Sequence, residues 1–270
     1  MKKVKFIIAL TAIMLIAGGC ATNVKQRAEK KERLSTTVKH HNVGYFSKIV
    51  ADGMYNIIFR QGENADVKVV GPEKLIRDIS VNVKGNTCYI FETKHKMGNR
   101  NIKNYSVFKR EKKRIRDYSS KVKIIITSPD LTDLSLIGMG NFTCQTHLDT
   151  DTLHITNEGA GSVSFADVIC DDLDVDIEGM GDFKLGNARC AKASLLLSGL
   201  GSIKANLSNV AQTSVAVEGL GSAKVQFNDC DSCTSTLDGL GSIVLSGDLK
   251  HLEKETDGLG KISTKGLKKE

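Results

Sequence analysis

The sequence predicts an all-β protein whose second half is a solenoid, a stack of parallel β-helix-like coils. Two observations carry this prediction. A Gly-x-Gly triplet recurs seven times between Gly138 and Gly260 at a spacing of about 20 residues, and such a fixed period is typical of solenoids. Apolar residues fall mostly on even offsets from the first glycine and polar residues on odd offsets, which is the period of strands with one buried face.

The repeats occupy residues 134–264 and define columns of equivalent positions, one position per coil. The apolar column two residues before the first glycine includes Ile177, Leu197 and Val217, which we expect in neighbouring coils. A coil of 20 residues at about 3.3 Å per residue has a perimeter of about 66 Å, suitable for one turn of a β-helix. The glycine pair is expected to mark a bend that needs positive φ or close approach between coils.

The preceding half, from about residue 44 to 133, is rich in predicted strands but shows no repeat. Composition excludes several other classes. Hydrophobic residues make up 40% of the chain, which is enough for a packed core, and the two prolines exclude collagen and proline-rich linkers. The net charge of +7 does not by itself exclude nucleic-acid binding, but we expect no nucleic-acid partner in the envelope compartment that the N-terminal residues indicate. No cofactor motif follows from the Gly-x-Gly triplets, because strands rather than helices follow them.

The N-terminal residues 1–19 are typical of a secretory signal, with lysines before an apolar run and small residues before Cys20. Ala17-Gly18-Gly19-Cys20 resembles the lipobox of bacterial lipoproteins. That resemblance implies cleavage before Cys20 and acylation (palmitate) of the new terminus, which would attach the protein to a membrane. Ala21 in place of aspartate implies the outer membrane. The alternative is a plain signal peptide that happens to contain a cysteine. Residues 20–43 are expected to form a charged tether.

Residues 44–267 resemble a known domain family. The residues that carry the resemblance are Phe46-x-x-Ile49, Asp52-Gly53-x-Tyr55-x-Ile57-x-Phe59-x-Gln61-Gly62, Val122-x-Ile124-x-Ile126-Thr127-x-Pro129 and the Gly-x-Gly coils. This pattern is similar to the GIN domain of bacterial envelope proteins, which are described as auto-transporter adhesin heads. The resemblance implies a right-handed β-helix-like fold and no known catalysis. Residues 94–118 depart from it as an enlarged basic insertion.

The central residue of each triplet forms a second column of interest. Its large apolar members are Met139, Met180, Leu200, Leu220, Leu240 and Leu259, and Ala160 is the small one. If strand parity holds through the bend, these side chains point outward and form an exposed ridge, which usually marks a contact surface. If the glycines reset the parity, the column is buried. The sequence leaves both alternatives open.

Two charged regions are further candidates. One coil carries the carboxylates Asp174, Asp176, Glu178 and Asp182. They could bind calcium, act as a carboxylate pair in glycoside cleavage, or form a polar solvent face. The insertion carries a dense basic cluster, Lys109, Arg110, Lys112, Lys113, Arg114 and Arg116. This cluster could contact lipid phosphates or acidic glycans, and the alternative is a solvated loop.

Six cysteines follow Cys20, and most occupy positions of small core residues. Cys170 and Cys190 share one repeat position in neighbouring coils and could approach disulfide distance. Cys144-x-x-His147 and Cys230-x-x-Cys233 are separated by about four coils, so they cannot form one zinc site.

Together these patterns favour a lipid-anchored binding or adhesion-type module of the cell envelope, without catalysis and without a cofactor. Its partner would be an envelope protein or a glycan. Two alternatives remain: a polysaccharide-active β-helix enzyme that uses Asp174, Asp176, Glu178 and Asp182, and a structural or signalling envelope lipoprotein.

Overall fold

The computed structural model describes residues 36–93 and 121–268, and these residues form almost only β-strands. In chain order the strands are β1 (Thr36–His41), β2 (Lys48–Gly53), β3 (Asn56–Gln61), β4 (Asp66–Pro72), β5 (Ile79–Lys84), β6 (Thr87–Glu92), β7 (Lys123–Ser128), β8 (Asp133–Gly138), β9 (Asn141–Asp149), β10 (Thr152–Gly159), β11 (Ser162–Ile169), β12 (Asp172–Gly179), β13 (Asp182–Arg189), β14 (Lys192–Gly199), β15 (Ser202–Ser208), β16 (Gln212–Gly219), β17 (Ser222–Gly239), β18 (Ser242–Gly258) and β19 (Lys261–Leu267). A short helix, α1 (Glu73–Ile76), lies between β4 and β5.

The strands lie in two stacks in which successive coils pair in parallel. The front stack has the order β6, β2, β8, β10, β12, β14 and β16. The back stack has the order β7, β3, β9, β11, β13 and β15. The long strands β17 and β18 run from the back stack into the front stack of their coils, and β19 ends the back stack.

Two bends connect the stacks. The Gly-x-Gly triplet joins each front strand to the back strand that follows it, and we call this bend the glycine corner. The other bend, which we call the second corner, joins each back strand to the front strand of the next coil. Its central residues are Thr150, Cys170, Cys190, Val210 and Cys230.

The register confirms the predicted solenoid. Ile177 lies opposite Leu197 in the next coil, and Leu197 lies opposite Val217. The period of 20 residues therefore does bring like side chains into columns. Because each residue pairs with its equivalent one coil away, the inward columns are lines of mostly apolar side chains.

Aromatic rings fill the widest part of the core. The Phe59 and Phe142 ring centroids are 6.0 Å apart, and those of Phe142 and Phe165 are 5.4 Å apart. All three side chains are buried. Burying a side chain of this kind contributes about 1.5–3 kcal/mol, so the stacked columns are the main source of stability. A few buried positions are polar. At one of them the Nδ2 atom of Asn157 donates a hydrogen bond to the carbonyl oxygen of Gly161 at 2.9 Å, across the glycine corner.

The first half of the chain belongs to the same solenoid, although its sequence shows no repeat. Gly53, at the end of β2, lies opposite Gly138, so β2 and β3 form the coil before the first Gly-x-Gly triplet. β6 and β7 pair with the other edges of β2 and β3 and form the coil outside it. The order of coils along the solenoid therefore differs from the order of strands in the chain, which conceals the period.

One expected boundary is different in the structure. The sequence predicted a tether over residues 20–43, but Thr36–His41 form β1, which pairs antiparallel with β4. The backbone of β1 satisfies hydrogen-bonding groups at the edge of β4, while most of its side chains stay exposed. A strand that buries neither face needs no apolar periodicity, which explains why the pattern did not reveal it. The remainder of that tether, residues 20–35, lies outside the described residues.

The C-terminal end of the solenoid is open. The front half of β18 and the whole of β19 pair on one side only in the described chain. Here the inward positions become polar: Lys254 lies opposite Ser235, and Thr256 lies opposite Leu237. Inward-pointing charged residues oppose further strand pairing, so these side chains protect the edge from aggregation.

Candidate functional site

The central column of the glycine corner is exposed, which decides between the two alternatives that the sequence left open. The exposed fraction of Leu200 is 56%, that of Met180 is 62% and that of Leu259 is 88%. We call this column the corner ridge; its members are Met139, Ala160, Met180, Leu200, Leu220, Leu240 and Leu259. Strand parity therefore continues through the bend. Six large apolar side chains point to solvent in one line.

Backbone hydrogen bonds keep the corner ridge in register. The Leu200 amide donates to the carbonyl of Gly179 at 2.8 Å, and the Leu220 amide donates to that of Gly199 at 3.0 Å. Leu240 makes the equivalent bond to Gly219 at 2.9 Å. The ladder between coils thus continues through the bend, so neighbouring ridge residues are one coil apart, about 4.8 Å.

Glycine on both sides of the ridge is a steric requirement. A Cβ atom on Gly201 would overlap the carbonyl oxygen of Gly181 in the preceding coil, and Gly199 has a φ of +138°. Neither position accepts a larger residue without a shift of the backbone. As a result, each ridge side chain stands between two positions that have no side chain, and its apolar surface remains uncovered.

An acidic column runs beside the corner ridge on the front stack. It occupies the position just before the first glycine, where Glu158 lies opposite Glu178, and Glu218 lies opposite Asp238 and, through it, Asp257. Ser198 interrupts the column, and its Oγ atom donates to Oε2 of Glu218 at 3.4 Å. Of this column, the sequence patterns singled out only Glu178. Reading the residue before each triplet would have found all of it.

The other flank of the ridge is almost neutral. The first outward positions of the back strands are mostly small polar residues, including Ser162, Ser202, Ser222 and Ser242, with one carboxylate at Asp182 and one lysine at Lys261. Ser202 donates from Oγ to Oδ1 of Asp182 at 2.6 Å. A basic column, Lys184, Lys204 and Lys224, lies two residues further along these strands. In the described chain, a series of carboxylates thus borders the ridge on one side, whereas Asp182 is the single carboxylate directly on the other side.

The four carboxylates of the predicted calcium or catalytic site are not brought around one point. Asp174 pairs with His154, with 3.0 Å between Oδ2 and Nδ1, whereas Asp182 lies beyond the glycine corner. In the described part of the chain, no group of three or more His, Cys, Asp or Glu side chains is placed to hold a metal ion. The geometry therefore does not support the calcium hypothesis.

Asp176 has a raised pKa, and the cause is structural. Partial burial raises the pKa of its carboxyl group first, and the neighbouring charges of Glu178, Asp174 and Glu218 raise it further. Catalytic acids can have raised pKa values for the same reasons. Here the raised pKa of Asp176 reflects the nearby carboxylates on the outward face of the front stack.

Asp167, on the back stack, shows the opposite behaviour. Asn187 donates from Nδ2 to Oδ1 of Asp167 at 3.0 Å, and Nδ1 of His147 lies 2.6 Å from Oδ2. These hydrogen bonds, that of Asn187 first, lower the pKa of the Asp167 carboxyl group. The ladder continues with a hydrogen bond from Ser208 to Asn187. His147 is therefore engaged with Asp167.

The six described cysteines are free thiols. Cys170 and Cys190 lie in neighbouring coils at the second corner and share a hydrogen bond, which raises the pKa of the Cys190 thiol. The disulfide considered from the sequence is thus absent from the structure, although the two residues are neighbours. Burial raises the pKa of Cys88 and of Cys233 to about 12, so these thiols stay protonated and unreactive.

The structure also reveals an aromatic surface that the sequence analysis missed. Tyr89 and Phe91 of β6 are partly exposed at the N-terminal end of the front stack. Tyr89 borders a shallow pocket of about 200 Å³, where Nζ of Lys48 lies 3.1 Å from Oδ2 of Asp133. These residues come together only because β6 lies outside β2 in the stack. Because these residues are far apart in the chain, no sequence pattern predicted that they lie together.

Two of the predicted site regions lie outside the described residues. These are Cys20, the expected lipidation site, and the basic cluster of the insertion, Lys109, Arg110, Lys112, Lys113, Arg114 and Arg116. In the part of the chain that is described, the helices do not include one with the length and apolarity needed to cross a membrane.

Comparison with solved structures shows that the fold is shared. A putative adhesin from Bacteroides fragilis NCTC 9343 has 27% sequence identity and a TM-score of 0.70, over 85% of this chain and 96% of that chain. A putative adhesin from Parabacteroides merdae ATCC 43184 has 16% identity and a TM-score of 0.63, over 87% and 97%. A putative lipid binding protein from Parabacteroides distasonis ATCC 8503 has 17% identity and a TM-score of 0.56, over 87% and 97%.

Curated proteins gave no match to the chain. The sequence profile of one domain family does match, over residues 45–248. Its description, "Putative auto-transporter adhesin, head GIN domain", names an adhesion role and no enzymatic activity. This match covers most of the solenoid, including the first six Gly-x-Gly triplets and the corner ridge from Met139 to Leu240. The protein belongs to the GIN-domain family.

Proposed function

We propose that this protein is a lipid-anchored, non-enzymatic module of the cell envelope that binds a partner through the corner ridge. The observation that carries the proposal is the exposure of the ridge. Most of its leucine and methionine side chains are more than half exposed, in one line, on a solenoid whose other apolar columns are buried. An exposed apolar line of this length costs solubility and contributes little to folding, so a contact role explains it best.

The family name supports the binding part of the proposal, because the family is named for adhesion. The non-enzymatic part is supported by the position of Asp176 on an outward strand face, where the described residues do not enclose the acids. The anchor rests on the sequence around Cys20 alone, with the outer membrane as the expected location.

Binding is tested in cells that produce the full-length protein. We expect cells with the wild-type chain to adhere to a surface or to partner cells more strongly than a deletion strain. The variant Leu200→Ser/Leu220→Ser/Leu240→Ser should lose this difference while the protein stays at its normal level. Ser202→Ala/Ser222→Ala/Ser242→Ala, on the neutral flank of the same coils, is the matched control. Equal adhesion of the deletion strain and wild type would contradict the proposed function.

The anchor is tested separately by metabolic labelling with radioactive palmitate. We expect label in the wild-type chain and none in Cys20→Ser, with the wild-type protein in the outer-membrane fraction. Ala21→Ser serves as the control for a change at the same site. Unlabelled wild-type protein would show that the segment is a plain signal peptide.

A further inference from the structure

The corner ridge and the acidic column form one composite surface. Where a front strand carries a residue of the acidic column, this residue is two positions before the ridge residue: Glu178 precedes Met180, and Glu218 precedes Leu220. Both columns follow the same register, coil after coil. A partner that covers the ridge therefore also lies beside the carboxylates.

The carboxylates of this column are available to a partner. Among the described residues, no Lys or Arg forms a salt bridge with Glu158, Glu178, Glu218, Asp238 or Asp257. Glu178 and Glu218 also contribute to the raised pKa of Asp176, which shows that the negative charge here is not compensated locally. Electrostatic complementarity then favours a cationic partner.

The spacing of the ridge indicates what kind of backbone fits it. Neighbouring ridge residues are about 4.8 Å apart. The turns of an α-helix are about 5.4 Å apart, so the mismatch is about 0.6 Å per coil. Side chains on one face of an extended strand are about 6.8 Å apart, so an extended peptide loses register after one or two coils. A helix also offers grooves between its rows of side chains, into which a narrow ridge can pack.

We propose that the corner ridge and the acidic column dock an amphipathic α-helix of a partner protein, with an apolar stripe on one face and Lys or Arg along one flank. This inference rests on the proposed function, since it names the partner of the same surface. The one-sided charge sets the direction of the helix, because its basic flank must lie over Glu178 and Glu218 rather than over Ser202 and Ser222.

Two other occupants are disfavoured by the same charges. An anionic lipid surface would be repelled by the column of Glu178, Glu218 and Asp238. A second copy of this chain would bring the same acidic column, and the other flank directly offers mostly serines, with a single basic residue at Lys261. The basic column at Lys184 and Lys204 lies two residues further from the ridge. A helix with basic residues next to its apolar stripe satisfies both columns at once.

The experiment uses residues 20–270 with Cys20→Ser, and a fluorescein-labelled helical peptide with a leucine stripe and lysines on one flank. We expect saturable binding by anisotropy, weakened at least about tenfold by Leu200→Ser/Leu220→Ser/Leu240→Ser, because three buried leucine contacts are lost. Glu178→Gln/Glu218→Gln/Asp238→Asn should weaken binding to a similar extent at low salt and less at high salt.

Matched controls isolate the surface. Ser202→Ala/Ser222→Ala/Ser242→Ala should bind the peptide as the wild type does. A peptide with glutamate in place of lysine, and one of the same composition without the stripe, should not bind. Circular dichroism of each variant checks that the β-fold is unchanged. Equal affinity of the wild type and both triple variants, or equal binding of the glutamate peptide, would overturn the inference.

The remaining outcomes separate this inference from the proposed function. If the leucine-to-serine variant abolishes cell adhesion while the peptide fails to bind the ridge, the contact role stands and the helical partner is wrong. Ridge-dependent binding of phosphatidylglycerol vesicles without peptide binding would assign the ridge to a membrane. A ridge-dependent dimer in sedimentation, without competition by the peptide, would assign it to a second copy. Either of these two results overturns the inference.

Discussion

The central residue is exposed to solvent at one corner of each coil and buried at the other. At the glycine corner Leu220 is 57% exposed, whereas at the second corner of the neighbouring coil Val210 is 1% exposed. Both columns are mostly apolar, and both repeat once in each coil. The glycine corner thus presents a line of apolar side chains to solvent, and the second corner adds an equivalent line to the core.

The difference lies in the residues beside the central position. The second corner keeps side chains there, such as Ala211. In the coil of Val210 it bends through Asn209 at a φ of 56°, a conformation that asparagine tolerates. The glycine corner has no room for a Cβ atom beside the ridge. We conclude that the fold needs the glycines but not the leucines, and this difference is the reason why we propose a contact role for the leucines.

The largest expected effect is a charge placed at each corner. Val210→Asp puts an unpaired carboxylate into the core and should lower the free energy of unfolding by at least about 3 kcal/mol. Leu220→Asp points into solvent and should change it by less than about 0.5 kcal/mol. Urea denaturation followed by circular dichroism measures both. Similar losses at both corners would contradict the comparison.

A smaller effect is expected from adding one carbon to the glycine corner. Gly201→Ala must push its Cβ atom away from the carbonyl of Gly181, and we expect a loss of about 1–3 kcal/mol. Gly44→Ala, where no atom lies within 4 Å of the new carbon, is the matched control and should stay near zero. If both variants melted at the wild-type temperature, the corner would not require glycine.

The smallest effect concerns the two carboxyl groups with shifted pKa values. The raised pKa of Asp176 means that the folded state prefers its proton, so stability from this group falls as the pH rises. Asp176→Asn should therefore stabilise the protein at pH 7, by less than about 1 kcal/mol, and this gain should shrink towards pH 3. Urea midpoints at the two pH values measure it.

Asp167 provides the reverse case, because hydrogen bonds from Asn187 and His147 lower its pKa. Its contribution is present above the pKa of the unfolded chain and is lost as the pH falls. Asp167→Asn should therefore destabilise at pH 7, and the loss should shrink in acid. The same sign for both variants at pH 7 would contradict the assignment of the two environments.

The sequence was sufficient to predict which residues stack in columns, but it could not predict whether the corner ridge is exposed. The even offsets place Leu197 opposite Val217, because a period of two and a repeat of 20 leave only one register. They could not decide the exposure of Leu200, since a glycine bend can reset parity. Parity is kept because the backbone ladder continues through the bend, from the Leu200 amide to the carbonyl of Gly179. That continuity is a property of neighbouring coils and cannot be read from one coil.

Other features could not be predicted from the sequence because the strands that form them are not consecutive in the chain. β6 and β7 form a coil outside β2 and β3, so the contact of Lys48 and Asp133 near Tyr89 joins three separate segments. β1 has too few buried side chains to leave a pattern. The acidic column, by contrast, was readable. Its residues all stand just before a glycine, as Glu158 and Glu218 do.

The claim that ridge residues are one coil apart has a direct test by disulfide cross-linking. Leu200→Cys with Leu220→Cys places two exposed thiols about 4.8 Å apart at the backbone, within the range that a disulfide spans. Leu200→Cys with Leu240→Cys places them about 9.6 Å apart, which is too far. The native thiols that the structure describes, such as that of Cys190, are buried and should not interfere, and Cys20→Ser removes the remaining thiol. After mild oxidation, mass spectrometry should show the intramolecular disulfide in the first variant and free thiols in the second. A disulfide between positions 200 and 240, or none between 200 and 220, would contradict the stacked corner.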